Sequence, residues 1–175
     1  MLVRPAKPSD ARAVARVYVH TWQQTYRGLI PDRYLDAMTV GRAERTYLRR
    51  LNVGIWCVAQ SDAGQVAGFV AGGPSRNPAG IYSGEIYELY LLEAYRGHGT
   101  GRRLVQALAD RLNRTGIYSM MVWVLARNPY RRFYERIDGI YLGSGSISFA
   151  GVQLDAVAYG WISTDLLLPT AERRS

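Results

Sequence analysis

The segment from Glu85 to Leu112 constrains this chain more than any other. Glu85-Ile86-Tyr87-Glu88-Leu89-Tyr90-Leu91-Leu92 reads as a strand, and Leu104, Val105, Leu108 and Leu112 then recur at helical spacing, with Arg103, Gln106 and Arg111 opposite. Between them lies Tyr95-Arg96-Gly97-His98-Gly99-Thr100-Gly101-Arg102. A strand that passes into a helix through so many glycines belongs in an α/β fold. Glycine lets the backbone bend tightly and approach a ligand with no Cβ in the way. The start of the helix adds unpaired N–H groups and a partial positive charge, which suit a pyrophosphate. Arg96, Arg102 and Arg103 supply full charges nearby. The plainer alternative is a tight turn that binds nothing.

Two common phosphate cradles fail by register. A Walker-type loop needs Gly-Lys-Ser/Thr at the helix start, and no lysine stands there. The dinucleotide fingerprint needs a third glycine, but the required position is Arg102 counting from Gly97 and Leu104 counting from Gly99. The pattern that fits is Gln/Arg-x-x-Gly-x-Gly/Ala, at Arg96, Gly99 and Gly101. Together with the strand before it, this segment resembles the coenzyme-binding core of the GCN5-related N-acetyltransferase (GNAT) family. The resemblance implies that the strand splays from its neighbour at a bulge and binds the pantetheine arm of acetyl-coenzyme A through the backbone of Leu89, Tyr90 and Leu91. It also implies that Arg96 and the amides of Gly97, His98, Gly99, Thr100, Gly101 and Arg102 hold the pyrophosphate. Glu93 stands where the family commonly has proline.

Asn128-Pro129-Tyr130-Arg131-Arg132-Phe133-Tyr134-Glu135-Arg136 is similar to the family's second motif. By that resemblance Asn128 and Phe133 contact the coenzyme, and the Tyr134 hydroxyl lies beside the sulfur. A phenol there can protonate the departing thiolate as general acid. Packing alone is the competing role for Tyr134. Asp138-Gly139 follows, where the family usually has Gly-Gly or Gly-Phe.

An alkylammonium acceptor must lose a proton before it attacks. By resemblance, Glu85 sits where several family members carry a catalytic glutamate; Glu88 and bulk water or a water chain are the competitors. Strand alternation sends Glu85, Tyr87, Leu89 and Leu91 to one face and Glu88 to the other. The resemblance names the Leu91 N–H as donor to the carbonyl oxygen, and Trp22, Tyr26 and Arg27 as the acceptor-pocket residues. His20 and His98 read as solvated. Cys57, in Ile55-Trp56-Cys57-Val58, reads as a small buried hydrophobe. Two histidines and one cysteine give no ligand spacing, so no metal is expected.

Elsewhere, a short strand around Val3 precedes a helix with Ser9 as N-cap and Ala11, Val14, Ala15, Tyr18, Val19 and Trp22 on its inner face. A second helical stretch follows Pro31, breaks near Thr39 and runs to about Leu51. Ile55–Ala59 and Val66–Ala71 read as a strand pair, and residues 74–84 as a loop. Ile117–Leu125 reads as a strand covered on both faces. Asn128 reads as N-cap of a short helix with Pro129 as its first residue. Strands near 140–149 and 152–161 meet at Ala150-Gly151. The expectation is a single α/β GNAT-like domain over residues 1–168, with a mixed, mostly antiparallel sheet of about seven strands, helices on both faces, and a frayed tail at 169–175.

Composition sets the remaining bounds. Of 22 basic residues only Lys7 is a lysine, and the formal charge is +8. This field favours an anionic ligand without naming one. The arginines are scattered and form no stripe interleaved with aromatics, which argues against nucleic acid. No apolar run approaches the roughly 20 residues a membrane span needs, and no signal-peptide core is visible, so a cytoplasmic setting is expected. The implied reaction is acetyl transfer from acetyl-CoA to a small-molecule or peptide amine, by direct attack in a ternary complex. A non-catalytic acyl-CoA-binding module is the alternative. A homodimer through the edges at 140–161 stays open.

Overall fold

The computed structural model describes residues 1–77, 80–149 and 151–168. Seven strands form one sheet in the order β1-β2-β3-β4-β5-β7-β6. They are β1 (Leu2–Pro5), β2 (Ile55–Gln60), β3 (Val66–Pro74), β4 (Gly84–Leu91), β5 (Met120–Leu125), β6 (Ile140–Phe149) and β7 (Val152–Trp161). The helices are α1 (Ala11–Thr25), α2 (Asp32–Asp36), α3 (Val40–Arg50), α4 (Thr100–Arg114) and α5 (Arg132–Glu135). The β4–β5 pair is parallel, whereas β1–β2, β2–β3, β5–β7 and β6–β7 are antiparallel. The sheet is therefore mixed and mostly antiparallel, as expected. Residue contacts divide the chain into two units, Met1–Gly72 with Glu88–Leu108 and Gly73–Tyr87 with the residues from Ala109 onward.

In the first unit, the inner stripe of α1 buries Ala11, Val14, Ala15, Val19 and Trp22 as its spacing requires. Val14, Val17, Tyr47, Trp56, Val58 and Phe69 share one apolar cluster. The entry to α1 differs from expectation. Ser9 is not the N-cap, because Pro8–Asp10 forms a 3₁₀ turn ahead of the helix. Asp10 stands at the N-cap position but gives α1 no side-chain bond; its carboxylate turns back instead, accepting from Lys7 N–H at 2.8 Å and from Arg4 at 2.8 and 2.9 Å. The break near Thr39 is real, and the Thr39 hydroxyl accepts from Arg42 N–H at the start of α3.

In the second unit, β4 pairs with β5 at Gly84↔Met120, Glu85↔Met121 and Ile86↔Val122. The ladder ends there, while β4 runs on to Leu91. β5 begins at Met120 rather than Ile117. The Ile117 amide closes α4 instead, donating to the Leu112 carbonyl at 3.0 Å while Gly116 turns through φ +83. Nor is β5 covered on both faces: Met120, Val122 and Val124 are buried, but Trp123 is exposed. Asn128 does not cap α5, which starts at Arg132. Its side-chain oxygen accepts from Tyr130 N–H at 2.8 Å and its carbonyl from Arg131 N–H at 3.2 Å, so Asn128-Pro129 forms a turn ahead of the helix. β6 and β7 form the expected hairpin, with Gly151 at φ +78. Ala150 and the expected tail at 169–175 lie outside the described residues. A 3₁₀ turn at Thr164–Leu167 has no counterpart in the sequence reading.

Candidate active site

The glycine turn lies in the first unit. Gly97 and Gly99 adopt φ +80 and +73, and an added Cβ at either would meet nothing within 4 Å. Both glycines and His98 are exposed. α4 begins at Thr100, inside the motif, and the Gly99 carbonyl accepts from Arg103 N–H at 3.1 Å. Thr100 and Gly101 are the first two residues of α4, where a helix turns its backbone N–H groups outward from its start. The Arg96 guanidinium donates through Nε to the Leu91 carbonyl at 3.0 Å, tying the turn to the last residue of β4. Arg102 and Arg103 are exposed, and Arg103 also donates to the Met1 carbonyl at 3.3 Å. Left-handed glycines, open space beside them, a helix start and three arginines form a donor set that fits a diphosphate.

The C-terminal half of β4, also in the first unit, turns Glu88 and Tyr90 toward an aromatic cluster. Tyr90 lies 5.5 Å from both the Tyr18 and Phe69 rings and 6.5 Å from Trp22. Burial pushes the pKa of Tyr90 and Tyr47 well above the ordinary phenol value. The Glu88 carboxylate accepts from Tyr47 O–H at 2.6 Å and pairs with Arg50. Arg50 in turn lies over the Tyr47 and Trp56 rings, 5.5 and 5.3 Å from their centroids. Trp22 and Tyr26 are buried, their rings 4.8 Å apart. Arg27 is exposed and pairs with Asp36 at 2.8 Å and Asp32 at 3.5 Å. The three acceptor candidates thus divide into two packed rings and one surface cation.

The second unit holds Glu85, which is 3% exposed. Arg76 spans both of its oxygens: the backbone N–H donates to Oε2 at 2.9 Å and Nε to Oε1 at 3.1 Å. Arg76 also lies 5.1 Å over the Tyr87 ring, so Glu85 and Tyr87 share one face as strand alternation requires. Arg76 was not among the sequence candidates. It sits in an irregular segment with no periodicity to mark it, nine residues from its partner.

Tyr134 is buried on α5 in the same unit. Its ring stands edge-on to Phe133 at 5.3 Å and stacks on Tyr159 at 5.8 Å with 26° between planes. Asp138 ends the helix at φ +64, a left-handed position that glycine fills without strain. Gly139 N–H donates to the Tyr134 carbonyl at 2.9 Å and Asp138 N–H to Glu135 at 3.1 Å, which closes the helix end.

Cys57 is buried and His20 exposed. Among the described residues no cluster of three His, Cys, Asp or Glu could hold a metal. No described helix is long and apolar enough to cross a membrane.

A family model described as "Acetyltransferase (GNAT) family" matches residues 15–139. An uncharacterized N-acetyltransferase of Bacillus subtilis, YuaI, is 37% identical over 91% of each chain. An L-methionine sulfoximine/L-methionine sulfone acetyltransferase of Salmonella typhimurium is 27% identical over 73% of this chain and 72% of that one. Among solved structures, Salmonella typhimurium yncA with acetyl-CoA shares the fold at a TM-score of 0.68 and 22% identity, covering 92% of each chain.

Proposed function

This chain belongs to the acetyltransferase (GNAT) family, and from that premise we propose that it moves the acetyl group of acetyl-CoA to a primary amine by direct attack in a ternary complex. The glycine turn carries the reading, because it presents amides and arginines in a form that suits the coenzyme diphosphate and that packing alone does not require. Bound acetyl-CoA supplies the activated thioester. On this reading Arg96 and the amides of residues 97–102 anchor its phosphates, and the backbone of Leu89, Tyr90 and Leu91 takes the pantetheine arm. The end of the β4–β5 ladder at Ile86 supports that role, since it leaves the later residues of β4 without a β5 partner. Asn128 and Phe133 complete the contacts. The Leu91 N–H donates to the carbonyl oxygen as negative charge develops on it, and Tyr134 gives its proton to the departing sulfur.

Glu85 is our candidate for the base, acting when Arg76 gives up its side-chain bonds to the carboxylate. Glu88 would have to release both Tyr47 and Arg50. Trp22, Tyr26 and Arg27 are assigned to the acceptor side.

The test is release of coenzyme A thiol across an amine panel containing L-methionine sulfone, L-methionine sulfoximine, spermidine, free amino acids and a lysine peptide. Amine-dependent release with at least one member is expected. Calorimetric binding of acetyl-CoA with no release by any amine would replace the enzyme by an acyl-CoA-binding module. No binding at all would remove the coenzyme reading itself.

A further inference from the structure

We propose that Tyr159 on β7 is a positioning residue for Tyr134, holding the helix that carries it by a clamp on Arg131 and Glu135. The proposal rests on Tyr134 being the proton donor.

α5 spans four residues, Arg132–Glu135. A single turn cannot fix its own orientation, because nucleation costs more than so few hydrogen bonds return. Its placement must come from outside. Arg131 Nη1 donates to the Tyr159 hydroxyl oxygen at 3.1 Å, and that hydroxyl donates to Glu135 Oε1 at 2.7 Å. Arg131 and Glu135 stand one turn apart on either side of Tyr134 and lie 3.9 Å from each other. A single hydroxyl therefore holds both ends of the turn.

The ring that bears this hydroxyl is also the one on which Tyr134 stacks. Tyr159 is fully buried, and Tyr141 stands edge-on against it at 6.0 Å. Trp161, two residues along β7, stands edge-on to Tyr134 at 6.3 Å and donates its indole N–H to the Ile137 carbonyl at 2.8 Å. Tyr134 thus takes its ring plane from β7. Burial and the bond to Glu135 push the Tyr159 phenol above its ordinary pKa, so the clamp keeps its proton throughout the range in which a phenol donor works.

The test compares Tyr134→Phe, Tyr159→Phe and the double variant, all checked for an unchanged melting temperature. The assay is thiol release from acetyl-CoA with the fastest amine of the panel above. Tyr134→Phe should lower kcat about 100-fold. Tyr159→Phe should lower it about tenfold with the KM for acetyl-CoA within about twofold, and should add nothing on the Tyr134→Phe background. Glu135→Gln, which still accepts the hydroxyl, should match wild type, whereas Glu135→Ala should match Tyr159→Phe.

A readout independent of turnover is the ultraviolet titration of the thiol of bound coenzyme A. A phenol donor stabilises the thiolate, so Tyr134→Phe should raise the thiol pKa and Tyr159→Phe should raise it part of the way. Should Tyr134→Phe be impaired while Tyr159→Phe matches wild type in both assays, the clamp is refuted and the acid stands. Equal losses from Tyr159→Phe on both backgrounds would make it a structural residue only. If Tyr134→Phe is fully active and the thiol titration is unmoved, the acid assignment fails and the clamp fails with it.

Discussion

At Gly99 a side chain would act in two separable ways. The residue sits at φ +73 with open space where a Cβ would stand, so within the protein an alanine costs backbone strain alone, about 1 kcal/mol. A coenzyme approaching the same amide would meet the new methyl. Gly151 is an internal control, with φ +78 and open space in the β6–β7 turn. Gly99→Ala and Gly151→Ala should therefore lower urea stability alike, while only Gly99→Ala weakens calorimetric coenzyme binding, by about tenfold or more. Equal binding by the two variants would show that the turn cradles nothing. At Glu85 and Arg76 the asymmetry lies in burial, because the carboxylate side chain is 4% exposed and the arginine 66%. Arg76→Ala removes the guanidinium from a buried carboxylate, leaving it the backbone N–H of residue 76, and should cost about 2–3 kcal/mol, whereas Glu85→Leu leaves its partner in water and should cost less. Urea midpoints of the two variants decide it. Asp10 carries a pH signature. Burial alone would raise its pKa, but the Arg4 guanidinium and the Lys7 N–H more than offset this and hold it below the usual 3.8. Its stabilising effect is complete above that unfolded value and is lost as pH falls through the lower folded one. Asp10→Asn should therefore destabilise at neutral pH, and the gap from wild type should narrow as the pH falls below the unfolded value of 3.8.

Elements were legible in the sequence where burial is periodic, and their ends were not. The stripes of α1 and α4 and the β6–β7 hairpin follow from side-chain spacing, which is local information. Ser9, Asn128 and Ile117 were each read from local chemistry, and each position was decided by a partner. Asp10 holds the N-cap position while its carboxylate turns back to Arg4 and the Lys7 N–H. Asn128 spends its oxygen on Tyr130, and the Ile117 amide closes α4. The Arg76–Glu85 pair escaped because Arg76 sits in an irregular segment beyond β3, and the Tyr159 clamp because it joins β7 to a helix distant in sequence. The two helix ends built alike offer a test at this scale. α4 closes through Gly116 at φ +83, and α5 through Asp138 at φ +64. Asp138 pays the left-handed penalty that glycine avoids, although aspartate bears it better than most residues. Asp138→Gly should thus stabilise by about 0.5 kcal/mol. Gly139→Ala should do the opposite, because its Cβ would stand 2.7 Å from the Tyr134 carbonyl and 2.9 Å from the Trp161 ring. A loss of about 2 kcal/mol is expected. Thermal unfolding of the two variants should move in opposite directions, and a shift in the same direction would show that the cap is not what limits α5.

For the molecule as a whole the question is whether the coenzyme is held by shaped donors or merely attracted by charge. A formal charge of +8 would draw any polyanion at low salt. Main-chain amides and a helix start are different, because their partial charges are fixed in direction and act at contact. A ligand that binds the folded state alone stabilises it by about 2.7 kcal/mol at 100 times its dissociation constant. For a chain of 175 residues that corresponds to a rise of about 5–10 °C in melting temperature. Acetyl-CoA and inorganic tripolyphosphate should both raise the melting temperature at low ionic strength. At about 1 M salt, where the Debye length falls to about 3 Å, the tripolyphosphate effect should vanish while most of the acetyl-CoA effect persists. Gly99→Ala should remove the salt-resistant part and leave the salt-sensitive part intact. Parallel loss of both ligands with salt would reduce the glycine turn to one more basic surface, and the phosphate anchor would then have to be sought elsewhere on the chain.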